Sequence, residues 1–211
     1  MPDFELENLY PQINIAGVDE AGRGPWAGPV VAGAVVIKNK KLSDFLLSGL
    51  NDSKKLSATK REKLYNSLFE AQNEGLIDIG IGEASVDEID NLNILQATFL
   101  AMQRAINNLP QKPDFALIDG NQTPKNLCCK CKTVIKGDAK SYSIAAASII
   151  AKVYRDKLMT DLALQHPYYA FEKNAGYGTP AHIEGLKKYG VVTGIHRLSY
   201  KPIAEFMKEN S

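Results

Sequence analysis

The chain has 211 residues, 45% of them hydrophobic and 23% charged, with a net charge of +1, the balance of an ordinary globular protein and not of a strongly basic nucleic-acid-binding domain. A chain of this length buries most of its apolar surface without disulfide staples, so residues 1–211 are expected to form one domain. No basic, apolar, small-residue leader opens the sequence and its longest near-continuous apolar run, residues 144–151, is too short for a bilayer, so a cytoplasmic protein without membrane attachment is expected.

Residues 15–37, IAGVDEAGRGPWAGPVVAGAVVI, hold two runs rich in β-branched residues around a glycine- and proline-rich segment, which reads as strand, tight turn, strand. Asp19 and Glu20 stand side by side at the end of the first strand. An acid in so apolar a strand carries a large desolvation cost unless a cation meets it, and a bound metal ion is the simplest such partner. The following Gly22-Arg23-Gly24-Pro25-Trp26-Ala27 fits the loose spacing of a dinucleotide-binding turn, but it leads into a strand where that turn must open a helix. It reads better as bare backbone approaching a ligand, with Arg23 ready to hold a phosphate. The alternative, glycines that only shape the turn and acids that cap it in solvent, stays open at this point.

Residues 51–57 form a polar loop in which Ser57 is placed to cap a helix running from Ala58 to about Gly75, with Leu64, Leu68 and Ala71 on its apolar face. Residues 76–82 alternate as a third strand, and Ser85 with Glu88 makes a capping box. A helix over 93–109 carries Leu95, Phe99, Met102 and Ile106 at helical spacing and ends at Pro110 and Pro113. Residues 115–118 form a compact strand finishing on Asp119-Gly120, and residues 133–136 another finishing on Gly137-Asp138. Three buried strands thus end in an acid beside or near glycine, and strand ends in one sheet can converge, although Asp138 could instead cap the next helix. That helix, from Ser143 to about Gln165, begins so small and apolar that it must be packed on several sides, and His166-Pro167 closes it. Tyr177 lies between glycines, Thr179-Pro180 begins a short helix, and the tail from Ile203 is weakly helical.

Cys128, Cys129 and Cys131, the only cysteines, are odd in number and too close for a disulfide framework, and with no histidine nearby they read as reduced thiols just before or within a strand. Basic residues gather at Lys54, Lys55, Lys60, Arg61 and Lys63, at Lys125, Lys130, Lys132, Lys136 and Lys140, and at Arg197 and Lys201, while acids gather over 83–90. That segregation allows a positive groove beside an acidic centre, and equally allows solvated helix faces. No nucleophile elbow, phosphate loop or H-E-x-x-H is present, and His166, His182 and His196 are scattered over loops. Carboxylates without imidazole or thiolate favour Mg²⁺ or Mn²⁺. Such ions mostly handle phosphates, which leads to phosphodiester hydrolysis by two ions about 4 Å apart.

Val18-Asp19-Glu20-Ala21-Gly22-Arg23-Gly24-Pro25, Asp52-Ser53-Lys54-Lys55-Leu56, Ile118-Asp119-Gly120, Lys136-Gly137-Asp138, the run SIAAASIIAK over 143–152 and Gly176-Tyr177-Gly178-Thr179 together resemble the type 2 ribonucleases H, most closely the bacterial ribonuclease HII family. The motifs stand in the family's order from about residue 13 to residue 200. The resemblance implies an α/β, ribonuclease-H-like fold. Its mixed five-stranded sheet has antiparallel first strands and helices on both faces, and a helical and loop extension over about 166–211 helps bind substrate. It implies endonucleolytic cleavage of RNA in RNA·DNA hybrids and 5′ of ribonucleotides embedded in duplex DNA, leaving 3′-hydroxyl and 5′-phosphate ends, with Mn²⁺ or Mg²⁺. By motif, Asp19, Glu20, Asp119 and Asp138 hold the metals, Gly22-Arg23-Gly24 reads the ribose junction, and Tyr177 contacts a sugar. Lys54 and Lys55 are phosphate contacts that the sequence does not distinguish.

Neighbouring residues of a strand face opposite sides, so Asp19 and Glu20 share a metal only if the chain bends at the strand end, which Ala21-Gly22 permits. A monomer is the default. Residues 202–211 carry no recognisable pattern, so a sliding clamp docking on the tail is not legible. A nicotinamide-binding oxidoreductase and a catalytically silent nucleic-acid-binding module are the competing expectations; the presence of all four acids counts against the second.

Overall fold

The computed structural model describes residues 2–9, 13–50 and 56–210. Strands β1 (Ile15–Ala21), β2 (Val30–Ile37), β3 (Ile77–Ala84), β4 (Phe115–Asp119) and β5 (Lys130–Val134) form one sheet in the order β3-β2-β1-β4-β5. The first three are antiparallel neighbours, whereas β4 joins β1 and β5 joins β4 in parallel. This is the mixed sheet that the family resemblance implies. The helices are α1 (Glu5–Asn8), α2 (Asp44–Gly49), α3 (Ala58–Asn73), α4 (Val86–Leu92), α5 (Ile94–Asn107), α6 (Tyr142–Gln165), α7 (Phe171–Asn174), α8 (Pro180–Tyr189) and α9 (Lys201–Glu209).

The alternation of β1 and β2 sets two faces. Ala16, Val18, Val30, Ala32, Ala34 and Val36 meet α5 in one apolar cluster, while Val35, Ile77 and Ile79 meet α3 and α6 in another. Both long helices come unusually near the sheet because glycines lie beneath them. A Cβ on Gly80 or Gly82 would lie 2.1 or 2.2 Å from a carbonyl oxygen of α5, and one on Gly17 would lie 2.2 Å from the backbone of Ser143 at the start of α6. Docking on glycine selects a small-residue stripe. The buried face of α5 is therefore Ala97, Ala101 and Ala105 with Thr98, Met102 and Ile106, and Leu95 and Phe99 are only half-buried.

Ser57 caps α3 and Ser85 with Glu88 forms the capping box of α4, as the sequence suggests. Strand β5 departs from expectation by starting and ending earlier. Its register to β4 pairs Phe115 with Lys130 and Asp119 with Val134, so the ladder stops where β4 stops. Ile135 is left exposed and Lys136 takes a left-handed φ of 55° into the 3-10 turn Gly137–Ala139. Cys131 lies within β5, with Cys128 and Cys129 just before it. Burial and the flanking thiols push the Cys129 thiol up to about 12, away from the thiolate that a metal would need.

The start of α6 is tied to the N-terminal segment. Oε1 of buried Glu7 accepts hydrogen bonds from Ser141 Oγ (2.6 Å), Ser143 N (3.0 Å) and Ser143 Oγ (2.7 Å). A carboxylate here also meets the positive end of the helix dipole.

Beyond α6, residues 166–206 gather around Met159 and Ala163 of α6 and around Ala27, with Tyr169, Phe171, Leu186 and Ile203 buried. His182 and His196, which the sequence leaves on scattered loops, meet in this cluster, fully buried, with their Nε2 atoms 3.1 Å apart. Val192 N donates to His196 Nδ1 (2.9 Å), so the His196 proton sits on Nε2 and is donated to His182, whose own proton on Nδ1 goes to the Tyr177 carbonyl (3.0 Å). A further proton on either ring would set two N–H groups head to head. Among the described residues no helix is long and apolar enough to cross a membrane.

Two outcomes follow. Gly17→Ala should cost about 3 kcal/mol or more in denaturant melts because the new methyl meets helix backbone. Gly75→Ala, at φ +74° with nothing within 4 Å of the new carbon, should cost only about 1 kcal/mol; equal losses would refute the close-approach account. Second, burial and the facing His182 hold His196 down to about 4, and burial also lowers His182. The unfolded chain, with histidines near 6.5, binds these protons first, so stability is complete above about pH 6.5 and is lost as pH falls towards 4, by roughly 2–3 kcal/mol. The stability-versus-pH slope in that window should flatten in His196→Asn; an unchanged slope would clear the pair of the effect.

Candidate active site

Asp19 sits near the end of β1, opposite Gly33 of β2, and is 6% exposed. Its Oδ1 accepts from Glu20 N (2.7 Å), and the Ser148 hydroxyl of α6 hydrogen-bonds the same carboxylate. Burial above all, then the charges of Glu20 and Asp119, push its pKa well above the usual carboxylate range, and the two hydrogen bonds only partly offset them. An acid held this way gains from a cation. Glu20 is half-buried with Oε1 3.4 Å from Arg23 Nη1. The ladder continues through Glu20–Ala32 and Ala21–Val31, and the chain turns just beyond it at Gly22, whose φ is 99°. Both residues line one cavity of about 620 Å³ at the strand end.

Parallel pairing of β1 with β4 brings in the third acid. Val18 pairs with Ile118, so the next residues, Asp19 and Asp119, leave adjacent strands at the same carboxyl-terminal edge, the edge where open parallel sheets take their ligands. Asp119 Oδ1 accepts from Gly137 N (2.7 Å), which ties the turn bearing Asp138 to the end of β4. The cap of α6 is Ser141, whose Oγ accepts from Ile144 N, so Asp138 is not the N-cap of that helix. Among the described residues no three carboxylate, imidazole or thiolate groups lie close enough to hold a metal as they stand. The donor set gathered around Asp19 is nevertheless all carboxylate, and its mutual repulsion fits a hard divalent cation.

The same cavity is lined by Gly22, Arg23, Gly24, Ile94, Ser148, Lys152, Arg155 and Tyr177. The structure therefore brings together Asp19 and Glu20, the Gly22-Arg23-Gly24 turn and Tyr177; Lys54 and Lys55 lie outside the described residues. The exposed Tyr177 ring lies against Gly24, where an added Cβ would be 3.3 Å from Tyr177 Cε1. Trp26, unremarkable in sequence, supports this loop by donating its backbone N–H to Gly176 O (2.8 Å) and filling the space over Gly178 with its ring. Of the basic clusters, Lys132 and Lys140 line a different cavity, shared with Asp3 and Glu5.

Sequence reasoning passed over Ser148, Lys152 and Arg155. The signal was present, since these polar residues recur at i, i+4 and i+7 inside an apolar helix and so share one face. Lys152 Nζ bonds Asp156 Oδ1 (2.6 Å), and buried Arg155 donates to Pro29 O (2.9 Å), Ala175 O (3.0 Å) and Ala27 O (3.1 Å).

Residues 16–203 match the family described as Ribonuclease HII. The chain is 52% identical over 206 residues to the ribonuclease HII of Jannaschia sp. (strain CCS1), covering 98% of both chains. Among solved structures it is similar to the ribonuclease H2 from Pyrococcus horikoshii OT3, with TM-score 0.73 and 30% identity over 93% of this chain and 98% of that one. It also shares its fold with Bst-RNase HIII in complex with Mn²⁺, with TM-score 0.72 and 16% identity over 93% of this chain and 70% of that one. The chain belongs to the ribonuclease HII family.

Proposed function

We propose that the protein is a metal-dependent endonuclease that hydrolyses the RNA strand of RNA·DNA hybrids and cuts 5′ of ribonucleotides embedded in duplex DNA, leaving 3′-hydroxyl and 5′-phosphate ends. The observation that carries this proposal is one cavity that joins strand-end carboxylates to a glycine turn and an exposed tyrosine. Asp19, Glu20, Asp119 and Asp138 would hold Mn²⁺ or Mg²⁺. When bound, such ions supply Lewis acidity for attack by water in line with the departing oxygen. Ser148 and Glu20 N–H hold the Asp19 carboxylate in place for this role.

The remaining residues select and position. Gly22 and Gly24 let backbone approach a 2′-hydroxyl, the atom that separates RNA from DNA. Arg23, exposed beside Glu20, reaches a neighbouring phosphate. Tyr177 offers its ring to the deoxyribose next to the ribonucleotide. Because Tyr177 comes from beyond residue 166, that extension helps hold the substrate. Lys54 and Lys55 add phosphate contacts. On this proposal the enzyme acts as a monomer in the cytoplasm. The nicotinamide alternative is disfavoured, since the glycine turn feeds β2 and not a helix.

A labelled duplex with one ribonucleotide, beside all-DNA and all-RNA duplexes, tests the proposal. A cut 5′ of the ribonucleotide, absent from both controls and abolished by chelation with EDTA, is expected, and Asp19→Asn should lower the rate by ~10²-fold or more. Folded protein that cuts nothing with either metal would sink it. Tyr177→Ala should lower kcat/KM on the same duplex about tenfold, the equivalent of about 1.4 kcal/mol, and Tyr177→Phe should retain most of it. Equal loss in both variants would assign the effect to the hydroxyl and not to the ring.

A further inference from the structure

Two buried guanidinium groups lie beneath the Gly22–Pro29 loop, and carbonyl oxygens are their main partners. Arg197, fully buried, donates from Nη2 to Gly22 O (2.6 Å), from Nη1 to Arg23 O (3.0 Å), and from Nε and Nη2 to Gly28 O (2.9 and 2.8 Å). Tyr200 OH donates to the same Arg23 carbonyl and accepts from Arg197 Nη1 (2.8 Å). Arg155 lies against the turn from the other side, since a Cβ on Gly22 would fall 2.0 Å from its Nε. Cations taken out of water at this cost, with no bonded carboxylate, have as their evident product the orientation of these carbonyls.

That orientation has a consequence for the pocket. The Gly22 carbonyl shares a planar trans peptide with Arg23 N–H, and the Arg23 carbonyl shares one with Gly24 N–H, so each pair points in opposite directions. With both oxygens drawn to Arg197, both N–H groups face away from it. Among the described residues neither amide donates a hydrogen bond to the protein, and both residues line the cavity that contains Asp19. Backbone donors left unspent beside a cavity call for an oxygen acceptor.

We propose that Arg197 is a specificity-positioning residue, which holds the carbonyls of Gly22 and Arg23 so that the amides of Arg23 and Gly24 present two aligned donors to a ribonucleotide's 2′-oxygen. The inference rests on the proposed ribonuclease activity and adds to it the device, supplied from the far end of the chain, that sets the turn. Arg197 touches no substrate.

The test is Arg197→Lys, which keeps the charge and loses the fork. On the single-ribonucleotide duplex, with rates referred to the folded fraction by circular dichroism, kcat should fall about tenfold or more. KM and the affinity for an all-DNA duplex should stay within about twofold, because only the sugar contact is misaligned. A merely structural role would lower the melting temperature and leave kcat per folded molecule intact, and that result overturns the inference. A wild type that cuts nothing overturns the proposed function and this inference together, whereas an active wild type matched by Arg197→Lys overturns this inference alone. Should the variant fail to fold, amide spectra of Asp19→Asn decide. The Arg23 and Gly24 protons should shift on adding the single-ribonucleotide duplex and not the all-DNA duplex; no shift, or the same shift with both, overturns the proposal.

Discussion

Parallel pairing of β1 with β4 governs the site. An antiparallel neighbour would carry its terminal acid to the far edge of the sheet, whereas parallel register sets Asp119 beside Asp19 and lets β5 deliver the Asp138 turn to the same edge. The pairing needs a crossover of some ninety residues, and that crossover must return close to the sheet to bury it. Glycines in β3 let α5 of that crossover do so, glycines in β1 and β2 let α6, which follows β5, come as near, and the approach of α6 places Ser148 on Asp19. Packing at the glycines and electrostatics at the acid are thus one arrangement seen from two sides.

The charges in that arrangement are deliberately unbalanced. Asp19 and Glu20 line the cavity with like charge, Asp119 adds its charge to Asp19 from β4, and two guanidinium groups lie beneath the Gly22–Pro29 loop, bonded to carbonyls and to one tyrosine hydroxyl. Burial and mutual repulsion lower the pKa of Arg155 to about 10, which still leaves it charged at neutral pH. On the proposed function, a substrate bearing phosphates, together with divalent cations, would complement both sets of charges.

Much of this was legible in the sequence, for local reasons. Compact apolar runs gave β1, β2 and β4, alternation gave β3, small polar residues before helical runs gave the caps at Ser57 and Ser85, and acids at strand ends marked the edge where they meet. Where the outcome depended on a distant partner, the local signal failed. The limits of β5 follow β4 and not its own residues, so Ile135 lies outside the strand despite its β-branched side chain. The buried stripe of α5 shifted to alanines because glycines of β3 receive it. His182 and His196 looked scattered because fourteen residues separate two rings that touch. The polar face of α6 was visible in its spacing and was obscured by the apolar residues around it.

The bonds that set the turn also join the two ends of the chain. Arg197 and Gly22 are 175 residues apart, and Glu7 and Ser141 are 134 apart. During synthesis, which releases the amino terminus first, the acids at the ends of β1 and β4 leave the ribosome before Arg197 does. On the roles proposed above, a nascent or truncated chain stopped short of Arg197 would hold the carboxylates for a cation without the means to tell one sugar from another. Selectivity would then be the last property the polypeptide acquires.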